Sequence, residues 1–327
     1  MTTNDAPPAA RLVLGAMRFG TTVDTPTSFA LLDRFTDAGG EWIDTADCYA
    51  FWDSDTGHGG QSEDVLGHWL AARPGMRDRI KISTKFGAEP RVPGQWPATR
   101  TGLSRTAIRT QLTSSLRRLG VDHVDLAWAH MEDRTVPVTH TAEACAELVT
   151  DGTTRRIGLS NHPAWRIERA RAHALAHDLE PVTALQHWYT YVQPRGGTPL
   201  PQAHPYTWLN DEHLDLARTD DLDTWAYTPL QSGAYDNPAK RFPHAFDHPG
   251  TTARLAALDH VARELGATRS QTVLAWLTAH GIRPILGGST VGQLDEALAA
   301  MELVLPDDAV RVLDAASDDE VPEVPGD

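Results

Sequence analysis

Cysteine is scarce in this chain of 327 residues: Cys48 and Cys145 are the only two, and they form no CxxC pair. That excludes a disulfide framework and suits a reducing compartment. Positive charge is also short. Lys and Arg total 29 against 44 Asp and Glu, a net charge of −15, which argues against nucleic acid or an anionic membrane as partner. An anionic ligand stays open, because backbone N–H groups at helix N-termini can hold phosphate locally. No apolar run approaches membrane length, and the opening MTTNDAPPAAR has no apolar signal core. The expectation is a soluble, cytoplasmic protein. The glycine fingerprint of a doubly wound dinucleotide fold is missing too. The GHGG run at Gly57–Gly60 has the wrong spacing and does not directly follow a strand. With no HxH and no HExxH helix, no metal is assigned.

What the chain does have is a repeated unit. A short β-prone run, a loop and an amphipathic stretch recur eight times. The strand candidates are RLVLGAM, EWIDTA, RIKISTKF, HVDLAWAH, RRIGLSN, VTALQHW, DTWAYTPL and IRPILGGS. Helical patterns lie between them, with Thr27 or Ser28, Ser62, Ser104 and Thr139 as expected N-caps. Eight such units predict a single-domain α/β fold, a closed (β/α)8 TIM barrel over residues 11–316. Residues 1–10 are expected to be a flexible N-terminus, and residues 317–327 an acidic, disordered tail. Two long loops, after strands six and seven, are expected to serve function, and the second resembles the phosphate site often built late in such barrels.

Chemistry in this architecture sits where strands end. Asp44 closes EWID, Lys85 closes IKISTK and His130 closes VDLAWAH, while Tyr49 lies one loop-length beyond Asp44. A lysine drawn into the barrel mouth needs an anion, and Asp44 on the neighbouring strand is the nearest. An ammonium beside Tyr49 is expected to favour the phenolate and lower its pKa from about 10. His130 can donate to a substrate oxygen. Each residue also has a structural reading: a turn aspartate, a solvated lysine, a packed tyrosine, a surface histidine. Cys48, beside Tyr49, reads as a small buried side chain or as a redox group. Ser160 and Asn161 end strand five, Gln186 lies in strand six and Tyr227 ends strand seven. An Asn and a Gln can grip a planar carboxamide, and an aromatic ring can stack on a flat heterocycle. Trp52, Trp96, Trp188 and Trp208, in or near loops of the same face, line a substrate slot or anchor their loops.

The segments IDTADCYAFW…GGQSEDVLG, ISTKFG, SLRRLGVDHVDLAWAH, IGLSNH and WAYTPLQSGAY, in that order, make nearly the whole chain similar to the aldo-keto reductase family. The resemblance implies a barrel enzyme reducing an aldehyde or ketone to an alcohol with NADP(H). Tyr49 matches the family's proton donor, Lys85 the group that lowers its pKa, Asp44 the partner that holds Lys85, and His130 the group that orients the carbonyl. Ser160, Asn161 and Gln186 match the carboxamide grip, and Tyr227 the ring that stacks on nicotinamide. Leu230, Ser232 and Gly233 fall in the diphosphate loop, with Gly287, Ser289 and Gln293 following strand eight. One stretch departs from the pattern: GGSTVGQLDEAL has no Lys or Arg where NADPH-using members commonly carry one. Ser289, Thr290 and Gln293 offer only neutral hydrogen bonds, so NAD(H) is a possible cofactor as well. Two rival readings are a nucleotide-sensing regulatory subunit with little turnover, and a metal-dependent barrel hydrolase built on Asp44, Asp47, His58 and His130. Substrate, reaction direction and the choice between monomer and homo-oligomer stay open.

Overall fold

A computed structural model describes residues 7–200 and 207–316. Eight parallel strands close into a barrel in sequence order: β1 Val13–Gly15, β2 Trp42–Asp44, β3 Lys81–Phe86, β4 Leu126–Ala129, β5 Ile157–Ser160, β6 Ala184–Trp188, β7 Asp223–Tyr227 and β8 Ile282–Leu286. β8 pairs back onto β1 through Val13 opposite Ile285. Each strand lies inside the run expected to form it.

The period of two along a strand sorts its side chains. Ile43, Ile82, Ala127, Leu159 and Leu185 face outward into the main core, which the helices cover. The alternate positions Val13, Trp42, Leu126, Trp128, Trp225 and Ile285 fill the barrel itself. Trp225 stands edge-on to both Trp42 and Trp128, with ring centroids 5.0 and 5.2 Å away. Three indoles fit because the neighbouring strand gives way: a Cβ on Gly158 would lie 2.2 Å from the Trp128 ring. The barrel is therefore a packed plug, and ligands are confined to its ends.

The helices are α1 Thr25–Asp37, α2 Gln61–Ala71, α3 Arg105–Leu119, α4 Val138–Thr150, α5 Ala164–Ala176, α6 Asp211–Thr219, α7 Pro249–Leu265, α8 Arg269–Ala279, α9 Val291–Met301 and α10 Asp307–Ala315. α8 lies against β8, whereas α7 is an extra helix packed on α8 and α10. Ser104 caps α3 as expected, accepting from the Ala107 N–H, and Gly120 ends that helix in the left-handed region. The other expected caps are corrected. Asp24 caps α1, whose first turn Pro26 preorganises, and the Ser28 hydroxyl turns back to the Asp24 carbonyl. α2 starts after Gly60, because Ser62 spends its hydroxyl on the Ala16 carbonyl and on Thr45. Pro137, not Thr139, precedes α4. At the N-terminus, Pro8–Arg11 form a 3-10 turn with Ala9 and Ala10 buried. The folded chain thus begins earlier than the sequence reading put it. The acidic tail and six residues of the long loop after β6 lie outside the described residues.

The packed plug makes a prediction. Gly158→Ala overfills the barrel and should lower stability by about 1–3 kcal/mol, seen as a lower urea midpoint at unchanged slope. An unchanged midpoint contradicts this account of the interior.

Candidate active site

Asp44, Tyr49, Lys85 and His130 meet at the C-terminal mouth of the barrel. Asp44 and Lys85 share the inward face of β2 and β3, and both are about 1% exposed. The Lys85 Nζ donates to Asp44 Oδ2 at 2.5 Å, to the Thr45 carbonyl at 2.9 Å and to the Tyr49 hydroxyl at 2.7 Å. All three ammonium protons are used, which is what makes a buried ammonium tolerable. Asp44 is held in turn by the Ser83 hydroxyl at 2.6 Å and by Gln186 Nε2, reaching across from β6, at 3.3 Å.

Tyr49 is set by the turn after β2. Its N–H donates to the Ala46 carbonyl, and Ala50 adopts a left-handed φ of 72°. The loop at Gly59 presses on this turn, where a Cβ would lie 2.4 Å from the Cys48 backbone. His130, just beyond β4, stands edge-on to Tyr49 with centroids 5.8 Å apart, and its Nδ1 is 3.5 Å from Cys48 Sγ.

The electrostatics correct one expectation. Burial pushes the Tyr49 phenol well above the usual tyrosine range, with the Asp44 carboxylate adding to the rise. The expected fall does not occur, because lost hydration of the phenolate outweighs the ammonium beside it. Burial likewise pulls the Lys85 ammonium down, while Asp44 opposes it. Burial, then the Lys85 charge, pushes the His130 imidazole well below its usual range. At neutral pH the mouth presents a protonated phenol and a neutral imidazole, joined to an internal ion pair.

The second set of residues adjoins the first. Asn161, at a left-handed φ of 57°, donates from Nδ2 to the His130 carbonyl at 2.8 Å and to Ser160 Oγ at 3.0 Å. Its Oδ1 accepts from the Tyr227 hydroxyl at 2.6 Å, which leaves one lone pair for a further donor. Beyond β7 the chain makes a tight turn through Leu230, Ser232 and Gly233. Thr228, Gln231, Ser232 and Gly233 all have φ between 49° and 89°, and the Gln231 and Gly233 N–H groups close the turn on the Thr228 and Leu230 carbonyls. Gln231 Nε2 is buried there without a hydrogen-bond partner. Lys240 donates to the Ser232 carbonyl at 2.5 Å. Lys240 escaped the sequence reading, although it is one of only three lysines in the chain, and that rarity was the available signal. After β8, Gly287 packs on the Gly15 carbonyl. The Ser289 N–H and hydroxyl both donate to Gln293 Oε1 at 3.0 Å. Asp295 of α9 is ion-paired with Arg34 of α1 at 2.7 Å.

The four tryptophans divide. Trp52, 47% exposed, stands edge-on to Tyr49 with centroids 6.5 Å apart, and Trp96 packs by Phe51 with its Nε1 on the Ala88 carbonyl. Trp188 and Trp208 pack on Phe246, and the Trp188 backbone bridges to Thr207 and Leu209, so this pair anchors the long loop. Of the set proposed for a metal hydrolase, only Asp47 and His130 come together, since Asp44 is bound to Lys85 and His58 to Glu89 at 3.0 Å.

The aldo/keto reductase family profile matches residues 11–318. The chain belongs to the aldo/keto reductase family. It is 30% identical to the uncharacterized oxidoreductase YrpG of Bacillus subtilis, over 93% of this chain and 91% of that protein. It is also 30% identical to the human aflatoxin B1 aldehyde reductase member 4, over 89% and 88%. Norsolorinic acid reductase of Aspergillus flavus is 29% identical, over 93% and 77%. Membership makes this barrel an oxidoreductase, and no helix among the described residues is long and apolar enough to cross a membrane.

Removing the charge of Lys85 tests the ion pair. Lys85→Met strands Asp44 and should cost about 3–5 kcal/mol in urea unfolding, much of it regained in Asp44→Leu/Lys85→Met. A Lys85→Met protein as stable as wild type contradicts a charged, buried pair.

Proposed function

We propose that this chain is a cytoplasmic, NAD(P)H-dependent carbonyl reductase that turns an aldehyde or ketone into an alcohol, with Tyr49 as proton donor. The observation that carries this reading is the unbroken run Asp44–Lys85–Tyr49. When bound, the nicotinamide supplies a hydride to the carbonyl carbon. Tyr49, kept protonated by burial, gives its proton to the carbonyl oxygen. Lys85 donates to the phenol oxygen and so stabilises the phenolate that this transfer leaves behind. Asp44 keeps Lys85 charged and in place. His130, neutral, donates a hydrogen bond that orients the carbonyl. Phe51, Trp52 and Trp96 wall the entrance beside Tyr49 and favour a flat, apolar carbonyl compound.

The residues present fit a dinucleotide. Ser160, Asn161 and Gln186 would hold its carboxamide and Tyr227 its ring. The turn at Leu230, Ser232 and Gly233, with Lys240 and the unpartnered Gln231 amide, suits a diphosphate. Gly287, Ser289 and Gln293 would take the adenosine end, where the family points to NADPH. A 2′-phosphate there meets only neutral donors, and Arg34 is occupied by Asp295, so NADH should also bind. A nucleotide-sensing subunit would use the same contacts, but the complete proton path favours turnover.

With an aromatic aldehyde, Tyr49→Phe should lose about 10²- to 10⁴-fold in NADPH oxidation while still quenching tryptophan fluorescence with nucleotide. A variant as fast as wild type removes Tyr49 from the mechanism. Because His130 and Tyr49 are both pushed away from neutrality, the reductive rate should stay level between about pH 6 and 8. An acid limb near the ordinary histidine pKa contradicts a neutral His130. Asp295→Asn should shift relative affinity toward NADPH over NADH by roughly two- to fivefold, the scale of an exposed ion pair. Fluorescence titrations read this, and an unchanged ratio places the 2′-phosphate elsewhere.

A further inference from the structure

Next to Tyr49 lies a group of side chains of which the proposed reaction uses only His130. Asp47, Cys48 and His130 present a carboxylate oxygen, a sulfur and a ring nitrogen within 4.8 Å of one another. Asp47 and Cys48 are each 3% exposed. Neither Asp47 oxygen has a side-chain partner or a hydrogen bond of ordinary geometry, although the Cys48 N–H lies near enough to favour its charge. An acid buried this deeply without a partner is costly unless it is protonated or meets a cation. Burial, together with Glu63 and Glu89, does hold Asp47 in the acid form.

From this convergence we propose that Asp47, Cys48 and His130 form a binding site for a thiophilic divalent cation of the zinc type, set against the catalytic tyrosine. Three observations support it. The Cys48 Sγ to His130 Nδ1 distance is 3.5 Å. Tetrahedral zinc, with a Zn–S bond of about 2.3 Å and a Zn–N bond of about 2.0 Å, separates its sulfur and nitrogen ligands by about 3.5 Å. The donor set of thiolate, imidazole and carboxylate is one that zinc accepts, and His130 is partly exposed, so water can reach the site. The surroundings are net acidic as well. Glu63 and Glu89 act on Asp47 and Cys48 against Arg118 and Lys85, and each of these cations is already paired, with Glu63 and Asp44 respectively.

Loading balances in charge. The Cys48 S–H and the Asp47 O–H each release a proton to water, sulfur–metal and oxygen–metal bonds form, and no electron is transferred. The cation arrives with two positive charges and two protons leave. His130 coordinates through Nδ1 and keeps its proton on Nε2. Its ring is then fixed by the metal, and the added charge beside Tyr49 competes with Lys85 for the phenol oxygen. Bound cation should therefore inhibit carbonyl reduction, a consequence that rests on the reductase reading; the site itself does not.

The test is a titration of the full-length protein with Co2+, without nucleotide or substrate, followed by thiolate-to-cobalt charge-transfer absorption and by displacement with Zn2+. The expected result is a band that saturates at one ion per chain and is lost in Cys48→Ala. Cys145→Ala, which removes the other buried cysteine, should keep it, and Asp47→Asn should bind at least tenfold more weakly. Thermal unfolding of each variant checks that it is folded, and if Cys48→Ala is not, Asp47→Asn decides. Absence of a thiolate band in wild type overturns the site, leaving a thiol–imidazole hydrogen bond beside a protonated acid. A band that survives Cys48→Ala, or unchanged affinity in Asp47→Asn, overturns it too.

Discussion

A lysine ammonium inside a protein is tolerable only when every proton finds an acceptor and a negative charge stands beside it. In this barrel Lys85 meets both conditions with three bonds, to Asp44, to the Thr45 carbonyl and to the Tyr49 hydroxyl. Much of the mouth follows from that. Asp44 must face inward, which fixes the register of β2 against β3, with Asp44 opposite Ser83. Gln186 crosses from β6 to complete the shell of Asp44. The third proton of Lys85 is free to act on Tyr49 only because the other two are already committed.

Burial sets the protonation states as much as the charges do. The phenol keeps its proton and the imidazole stays neutral because neither charged form is well solvated here. The ammonium therefore does not make Tyr49 a phenolate at rest. It lowers the cost of the phenolate at the moment a proton leaves, which is where a catalytic interaction counts.

Much of this was legible in the sequence because strands alternate with a strict period of two. Once WID, ISTK and LAWAH are strands, Asp44, Lys85 and His130 are at one end of the barrel, and the outward positions Ile43, Ile82 and Ala129 fall into the helix-covered core. Helix starts were less legible, since Ser62 and Ser28 have hydroxyls to spend elsewhere, on the Ala16 and Asp24 carbonyls that only the fold brings within reach. The direction of the Tyr49 shift was misjudged because a sequence names neighbouring charges but not the amount of water excluded. Lys240 was missed, and Asp47 was grouped with Asp44 and His58 rather than with Cys48, for a related reason. Their importance lies in what the fold leaves beside them, a strained turn in one case and a sulfur and an imidazole in the other.

The central claim is that Lys85 acts through Tyr49. A double-mutant cycle on single-turnover reduction tests it most directly, using wild type, Lys85→Met, Tyr49→Phe and the double variant under conditions where all four are folded. If Lys85 works only by stabilising the Tyr49 phenolate, the double variant is no slower than Tyr49→Phe. If the two losses multiply, Lys85 contributes to the reaction independently of Tyr49, and the Asp44–Lys85–Tyr49 path is contradicted.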